Sequence, residues 1–332
     1  MALLHSIFYF VLNMSITSAM IIALLLIIRT ILGRWISKSV IFYMWGIVLF
    51  RLLVPVSLPS QLSLINLISD YITKAVAIPK PSKVMLNISV LNSVQAASQY
   101  FPLEYKSHTL ESIFAVLGIV WIFGTVVFVI SSIVIYNLTA VQLKKAVLIR
   151  NSEVMDMCRN RLNIKEKVLL FESSFVVSPV VFGIIKPRIV IPEGMPEQTI
   201  EYALLHELCH VKRYDNLWKI ISAFAVCIHW FNPFAWLFLY ISGQDMEFAC
   251  DEKVLQGMAG DKRKSYANAL VSQAAKQRGA FTAFGGTAVR RRIINIMIYK
   301  HVSLIMAVTT AVICIVLAIL LLTNPLLRGV KI

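Results

Sequence analysis

The chain contains three long apolar runs, at residues 6–28, 112–136 and 303–323, and none of them includes a Lys, Arg, Asp or Glu. A helix needs about 20 such residues to cross the ~30 Å hydrocarbon core of a bilayer, so each run is predicted to be a membrane span. The composition agrees with this prediction. Its 58% hydrophobic residues, 15% charged residues and mean hydropathy of +0.76 lie outside the range of soluble globular proteins.

A fourth span is predicted at residues 40–58, although this run includes Arg51 and Pro55. Both are tolerated near a membrane end, where a long Arg side chain can reach the headgroups. The first run is followed by Arg29 and Arg34 instead of a small-residue cleavage site, which favours an uncleaved helix over a signal peptide. The expected architecture is an α-helical polytopic membrane protein with about four spans.

Basic residues near the spans predict the orientation, because basic flanks stay on the cytoplasmic side. The link 29–38 has basic residues and no acid, and the segment 137–302 is basic at both ends, so both are expected in the cytoplasm. The polar loop 59–111 and both chain ends are expected outside. This topology accounts for most of the net charge of +15, and no nucleic-acid-binding module is recognisable, so direct nucleic-acid binding is not expected.

The spans divide the chain into segments. In order, these are two membrane helices with a basic link at 1–58, an extracellular loop at 59–111, a third span at 112–136, a cytoplasmic domain at 137–302, a fourth span at 303–323 and an extracellular tail at 324–332. The cytoplasmic segment has the size of one domain. All five cysteines fall in cytoplasmic or membrane segments, so no disulfide is expected.

The cytoplasmic segment mixes strand and helix patterns. Residues 174–192 are rich in β-branched side chains interrupted by turn residues, which predicts a β-hairpin. A helical pattern then follows Pro196. The apolar run 220–241 is long enough to span, but Asn232 and Pro233 interrupt its middle, which breaks the helix. We expect two half-length segments that either dip into the inner leaflet as a hairpin or are buried inside the domain.

The most informative motif is HELCH at residues 206–210, a His-Glu-x-x-His pattern on the predicted helix. Since His206 and His210 are four residues apart, both imidazoles project from one face and can bind one Zn²⁺. Glu207 is placed to act on the metal-bound water as the catalytic general base. The motif predicts a zinc metalloprotease with one zinc ion per chain.

A catalytic zinc needs a third protein ligand and an open position. Glu247 and Asp251 lie four residues apart on a later helical pattern, DMEFACDEKVL. We predict Glu247 as the third ligand and Asp251 as a hydrogen-bond acceptor for the other nitrogen of one His, although either acid could lie on a solvated helix face. The resulting prediction for 137–302 is an α+β, gluzincin-like, cytoplasmic zinc metalloprotease domain.

An edge strand of the hairpin is interpreted either as a place where an extended protein substrate pairs through main-chain hydrogen bonds or as a covered sheet edge. Residues 176–182 and 188–191 are both candidates for that edge. Asp215 is interpreted either as orienting a metal ligand or as pairing with Arg213. Tyr266 is interpreted as a hydrogen-bond donor to the reacting oxygen or as a residue of a packed helix.

Five segments together resemble the BlaR/MecR-type family of membrane metallopeptidases, which are antirepressor sensors of β-lactam resistance. They are FGIIKPRIVIP, LLHELCHVKRYDN, HWFNPFAW, EFACDEKVL and SYANAL. The resemblance runs over nearly the whole chain. It implies zinc ligands at His206, His210 and Glu247 and a catalytic Glu207.

The resemblance also implies a substrate, namely a cytoplasmic transcriptional repressor whose cleavage induces antibiotic-resistance genes. It further implies self-cleavage, for which the loop 279–286 is a candidate. The sequence departs from the best-known members, since it ends at Ile332 without a penicillin-binding sensor domain. A separate extracellular sensor or a second copy of the chain is therefore considered as a partner, beside the lipid bilayer.

Two other functions fit parts of the sequence. A housekeeping membrane-protein quality-control metalloprotease would share the His-Glu-x-x-His motif and the later Glu, but the hairpin and the FNP sequence favour the regulatory protease. A non-proteolytic signalling receptor or scaffold would share the fold. The presence of His206, Glu207, His210 and Glu247 argues against the scaffold.

Overall fold

The computed structural model describes residues 2–33, 35–54, 58–60, 108–150, 152–256, 258, 260–277, 284–299, 312 and 323–325. The helices of this part are α1 Ala2–Leu32, α2 Lys38–Leu53, α3 His108–Leu143, α4 Glu153–Arg161, α5 Glu197–Lys212, α6 Asp215–Ile228, α7 Pro233–Leu255, α8 Gly260–Gln277 and α9 Phe284–Ile298. The strands are β1 Leu58–Ser60, β2 Val147–Ile149, β3 Leu169–Ser173, β4 Val180–Phe182, β5 Arg188–Pro192 and β6 Thr323–Pro325.

Two helices of the described residues are long and apolar enough to cross a bilayer, over Ile7–Leu32 in α1 and Ile113–Leu143 in α3. They coincide with two of the predicted spans. Helix α2 has 16 residues and ends at Leu53, short of the end predicted at residue 58, and it packs against α1 and α7. The fourth predicted span, at 303–323, lies outside the described residues apart from its Val312 and Thr323.

Residues 147–192 contain a four-stranded sheet in the order β2-β3-β5-β4. Strands β3 and β5 are parallel, and the other two pairs are antiparallel. The predicted hairpin is formed by β4 and β5, and it turns at Gly183, whose φ of +92° suits a residue without a Cβ. A second, two-stranded sheet pairs β1 with β6 in parallel.

The strand order corrects one prediction about the substrate edge. Residues 188–191 belong to β5, which lies between β3 and β4, so both of its hydrogen-bonding sides are already used. That interpretation was wrong, because an apolar strand pattern does not reveal which neighbours a strand will have. Strand β4, which lies within 176–182, is at the edge of the sheet.

Helix α5 packs on the sheet through one apolar face. Leu204, Leu205 and Leu208 are at most 1% exposed and contact buried residues of β5, α4, α7 and α8. Burying each leucine stabilises the fold by about 1.5–3 kcal/mol before entropy is counted. This face fixes the rotation of α5 and therefore the direction in which its two histidines point.

The apolar run 220–241 is divided between α6 and α7, which meet at a tight turn. Asn232 caps α7 by accepting a hydrogen bond from the backbone N–H of Phe234 at 2.9 Å, and Pro233 occupies the first helical position. The Asn232 amide also donates to the carbonyl and hydroxyl oxygens of Ser15 in α1, at 3.1 and 2.8 Å. The turn thus packs beside the middle of the first apolar helix.

The same turn is fixed to α3 by two tryptophans. The indole N–H of Trp121 donates to the carbonyl of Ile228 at 2.8 Å, and the Trp230 ring lies directly over Gly124. A Cβ at Gly124 would lie 2.5 Å from the Trp230 ring, so only glycine permits this contact.

Replacing Gly124 by Ala is expected to lower the stability of the purified protein by about 1–3 kcal/mol, because Trp230 must shift to make room. The melting temperature in detergent measures this change. Gly243→Ala is the control, since a Cβ there meets nothing within 4 Å and alanine favours the helix by up to about 1 kcal/mol. Equal melting temperatures for the two variants would contradict the packing of Trp230 on Gly124.

Candidate metal centre

His206 and His210 lie on the face of α5 that points away from its leucines. They are 6% and 5% exposed, and their rings meet edge to face with centroids 4.8 Å apart. The distance between their Nε2 atoms is 3.2 Å. One turn of helix therefore brings two ring nitrogens together, as the four-residue spacing predicts.

Glu247 of α7 completes a group of three donor atoms. Its Oε2 lies 3.1 Å from His206 Nε2, and its Oε1 lies 3.5 Å from His210 Nε2. Four ligands arranged tetrahedrally around an ion at 2.0–2.1 Å would be about 3.3–3.4 Å apart. The residues present therefore fit one metal ion with two imidazoles and one carboxylate.

Asp215 holds His210 from behind. Its Oδ2 lies 2.7 Å from His210 Nδ1, which leaves Nε2 to face Glu247. Asp215 is fully buried, and the Arg213 guanidinium donates to its Oδ1 at 3.1 and 3.2 Å. Both interpretations of Asp215 are thus realised together, since the residue orients a histidine and also pairs with Arg213.

Asp251 and Tyr266 lie behind His206. Asp251 Oδ1 is 3.2 Å from His206 Nδ1, and the Tyr266 hydroxyl donates to the same carboxylate oxygen at 2.5 Å. Tyr266 is 1% exposed, and its oxygen also lies 3.1 Å from His206 Nδ1. With its hydroxyl hydrogen donated to Asp251, Tyr266 helps to position Asp251 and His206.

Arg292 of α9 is a site residue that the sequence analysis missed. Its guanidinium donates to both carboxylate oxygens of Asp251 at 2.7 and 2.8 Å, and Nη1 lies 3.3 Å from Glu247 Oε2. Helical spacing puts Arg292 on the same face as Ile296, four residues later, but only the structure shows that this face is buried, with Ile296 fully inaccessible.

The surrounding charges keep the carboxylates of Glu247 and Asp251 ionised. Burial alone raises a carboxyl pKa, but His210, His206 and Arg292 hold the pKa of Glu247 well below its usual range. Burial likewise opposes ionisation of Asp251, and Arg292 with His206 holds the pKa of that carboxyl far below its usual range. Glu247 is therefore in the ionised form that a metal ligand requires, and Asp251 is in the ionised form that accepts hydrogen bonds from its neighbours.

Cys250 lies beside the ring nitrogen of His210 that faces away from Glu247, so it is not placed to share a metal ion with His206 and Glu247. Its Sγ lies 3.2 Å from His210 Nδ1, while Nε2 is the atom that faces Glu247. Burial raises the pKa of the Cys250 thiol to about 11.

Glu207 opens onto a cleft of about 250 Å³ that runs past the three donor atoms. Edge strand β4 forms one wall, and the other wall comes from α8 and α9. Asn216 fixes β4 in place by donating to the carbonyls of Val181 and Gly183, each at 3.1 Å. An extended chain could lie in this cleft with a backbone group next to Glu207.

The helical fold and this site define a membrane metallopeptidase-like protein, since a His-Glu-x-x-His helix meets a carboxylate from a later helix. A sequence profile of the family described as BlaR1 peptidase M56 matches residues 9–296. The chain belongs to this family, which suggests protease activity and a bound metal.

Known relatives carry regulatory names. The chain is 27% identical to the regulatory protein BlaR1 of Bacillus licheniformis over 242 residues, which cover 68% of this chain and 40% of that protein. It is 25% identical to the methicillin resistance mecR1 protein of Staphylococcus aureus over 251 residues, covering 73% of this chain and 42% of that protein. The chain thus spans less than half the length of these curated relatives.

Replacing Asp215 by Asn is expected to weaken binding of Zn²⁺ by about 10-fold or more, because His210 loses the charged group that orients it. Competition with a chromophoric chelator measures the dissociation constant. Glu201→Gln is the matched control, because among the described residues the Glu201 side chain makes a partly exposed ion pair with Arg161 and lies outside the site. An unchanged dissociation constant in Asp215→Asn would show that Asp215 does not orient a ligand.

Proposed function

We propose that the chain is a membrane-embedded zinc endopeptidase that acts as a regulatory signal transducer. The observation that carries the proposal is the separation of 3.1–3.5 Å among the donor atoms of His206, His210 and Glu247, with Glu207 beside them in the cleft. Two imidazoles and one carboxylate are a typical ligand set of catalytic zinc, which keeps its fourth position open. One zinc ion per chain is therefore proposed.

The chain's own residues account for the remaining chemistry. When bound, zinc supplies Lewis-acid activation of water and of the scissile carbonyl. The Glu207 carboxylate accepts a proton from the attacking water and then delivers it to the leaving amine nitrogen. His210 is held by Asp215, and His206 by the Asp251–Tyr266 pair, so the site geometry is set before a substrate arrives.

The substrate is proposed to be an extended segment of a cytoplasmic protein lying along β4. Strand β4 is an edge strand that borders the cleft, so main-chain hydrogen bonds can hold a peptide beside Glu207. By analogy with the regulatory relatives, we propose a transcriptional repressor as this substrate, with induction of antibiotic-resistance genes as the outcome. The self-cleavage loop predicted at 279–286 lies outside the described residues except for its last three positions.

The proposed topology is multi-pass, with four spans, a cytoplasmic catalytic domain and both termini outside. The α6–α7 hairpin is proposed to enter the bilayer and return, because its turn packs against Ser15 of α1 and Gly124 of α3. Its outward side chains support this, since Phe224, Trp236 and Tyr240 are each more than 40% exposed in the isolated chain. Such a hairpin keeps its hydrogen bonds within helices and so can lie in lipid.

Glu207→Gln is expected to lower peptide cleavage by about 10²–10⁴-fold while zinc content stays near one per chain, because the base is lost and the ligands are kept. Metal analysis and cleavage of a quenched fluorescent peptide library, together with self-cleavage of the full chain, measure both effects. Glu201→Gln again serves as control. Absence of zinc from the unmodified protein would overturn the proposal and favour the scaffold.

A cysteine placed at Ile185 is expected to react with a membrane-impermeant maleimide only from the cytoplasmic side. Ile185 is 92% exposed at the β4–β5 turn, so reagent access depends on the side of the membrane alone. The comparison uses right-side-out and inverted vesicles, with the unmodified chain as background. Labelling in right-side-out vesicles would contradict the proposed orientation.

A further inference from the structure

Helix α7 carries carboxylates on two opposite faces. Asp245 and Glu252 are seven residues apart and so lie on nearly the same face, while Glu247 is about 200° around the helix from Asp245. Asp245 and Glu252 are 3% and 6% exposed, and the hydrogen-bond partners described for their carboxylates are not the proposed metal ligands. Buried carboxylates need partners, and these two find theirs in the first two helices.

Asp245 is held by α1 and α2 together. Arg29, in the last turn of α1, donates from Nε at 2.9 and 3.0 Å and from Nη2 at 2.8 Å. The indole N–H of Trp45 in α2 donates to Asp245 Oδ2 at 2.8 Å. Four hydrogen bonds from two rigid helices fix the position of this carboxylate, and a forked Arg contact also fixes its orientation.

Glu252 is held by the link between α1 and α2. Its Oε2 accepts hydrogen bonds from the Ser37 hydroxyl at 2.7 Å, the Ser39 backbone N–H at 2.8 Å and the Ser39 hydroxyl at 2.9 Å. The Ser39 N–H belongs to the first turn of α2, whose own N-cap residue makes no side-chain capping bond. Glu252 therefore caps α2 from another helix.

Apolar packing joins the two contacts. Phe42 of α2 packs against Met246 and Ala249 of α7, and the Arg213 guanidinium lies 4.5 Å from the centre of the Phe42 ring. Arg213 is also the partner of Asp215, which holds His210. Helix α2 thus contacts both the helix that carries Glu247 and Arg213, the partner of the residue that orients His210.

We propose that Asp245 and Glu252 are positioning residues through which the α1–α2 pair sets the location of Glu247 relative to His206 and His210. Because Glu247 lies between the two anchors on a single helix, a shift of α1 or α2 moves the carboxylate against the histidines of α5. This inference rests on the proposed function and adds its regulation. The packing of the first two membrane helices controls zinc retention and turnover.

The test compares full-length variants in detergent and in lipid nanodiscs. Asp245→Asn and Glu252→Gln remove the charges, and the double variant Ser37→Ala, Ser39→Ala removes two donors to Glu252 without touching α7. Each is expected to release Zn²⁺ to a chelator about 10-fold faster and to lower kcat with KM unchanged. Glu201→Gln and Ser272→Ala are the matched controls, since Ser272 is exposed and bonds only within α8.

The readouts separate the outcomes. Lower melting temperatures with unchanged zinc release and unchanged kcat in the folded fraction would make the two carboxylates structural only and overturn the inference. Unchanged values in all three variants would overturn it as well. Failure of the unmodified chain to bind zinc would instead overturn the proposed function. If the unmodified chain binds zinc without cleaving peptides, the protease assignment fails, and the zinc-release rates still decide the role of the anchors.

Discussion

The structure depends on finding partners for the carboxylates of one helix. Helix α7 brings four of them into the protein within two turns: Asp245, Asp251 and Glu252 are buried, and Glu247 lines the cleft with its side chain 31% exposed. An unpaired carboxylate in such surroundings costs several kcal/mol, so each must meet cations or hydrogen-bond donors. Arg29 and Trp45 bind Asp245, and Ser37 and Ser39 bind Glu252. The two histidines lie beside Glu247, and Arg292 contacts both Glu247 and Asp251. The arrangement of the surrounding helices follows from this need.

These partners come from distant parts of the sequence, so the region around the candidate metal site does not stand apart from α1 and α2. The contacts to Asp245 and Glu252 join residues 200 or more positions apart, while Arg292 reaches Asp251 from a helix that follows it. The segment 137–302 was predicted as a separate domain between spans. In the structure α7 packs against α1 and α2 as closely as against α5, and the site is therefore shared between the two regions.

The parts of the site that the sequence could predict are those set by local geometry. The convergence of His206 and His210 needs only a helix. Glu247 was predicted as a ligand because a catalytic zinc needs a third protein ligand. The roles of Asp215 and Arg292 depend on how helices pack, which periodicity does not report. The β4–β5 hairpin was predicted for the same local reason, whereas its free edge was only partly identified, since pairing with β3 joins segments separated by a loop. The sequence showed that the helix breaks at Asn232 and Pro233, but it did not show that the Asn232 side chain bonds to Ser15.

The polarity of α7 changes along its length, and this change relates the site to the membrane. The helix has 23 residues and is about 34 Å long. Its first half carries Phe234, Trp236 and Tyr240, and its second half carries the four carboxylates. In the proposed topology the first half lies among lipid and apolar helices, while ionised groups cannot enter that region without large cost. The boundary then falls near Ser242 and Gly243, only one turn before Glu247. The proposed metal site consequently lies at the inner surface of the membrane, where a substrate must approach along the plane of the bilayer. A movement of α1 or α2 there displaces α7, and with it Glu247.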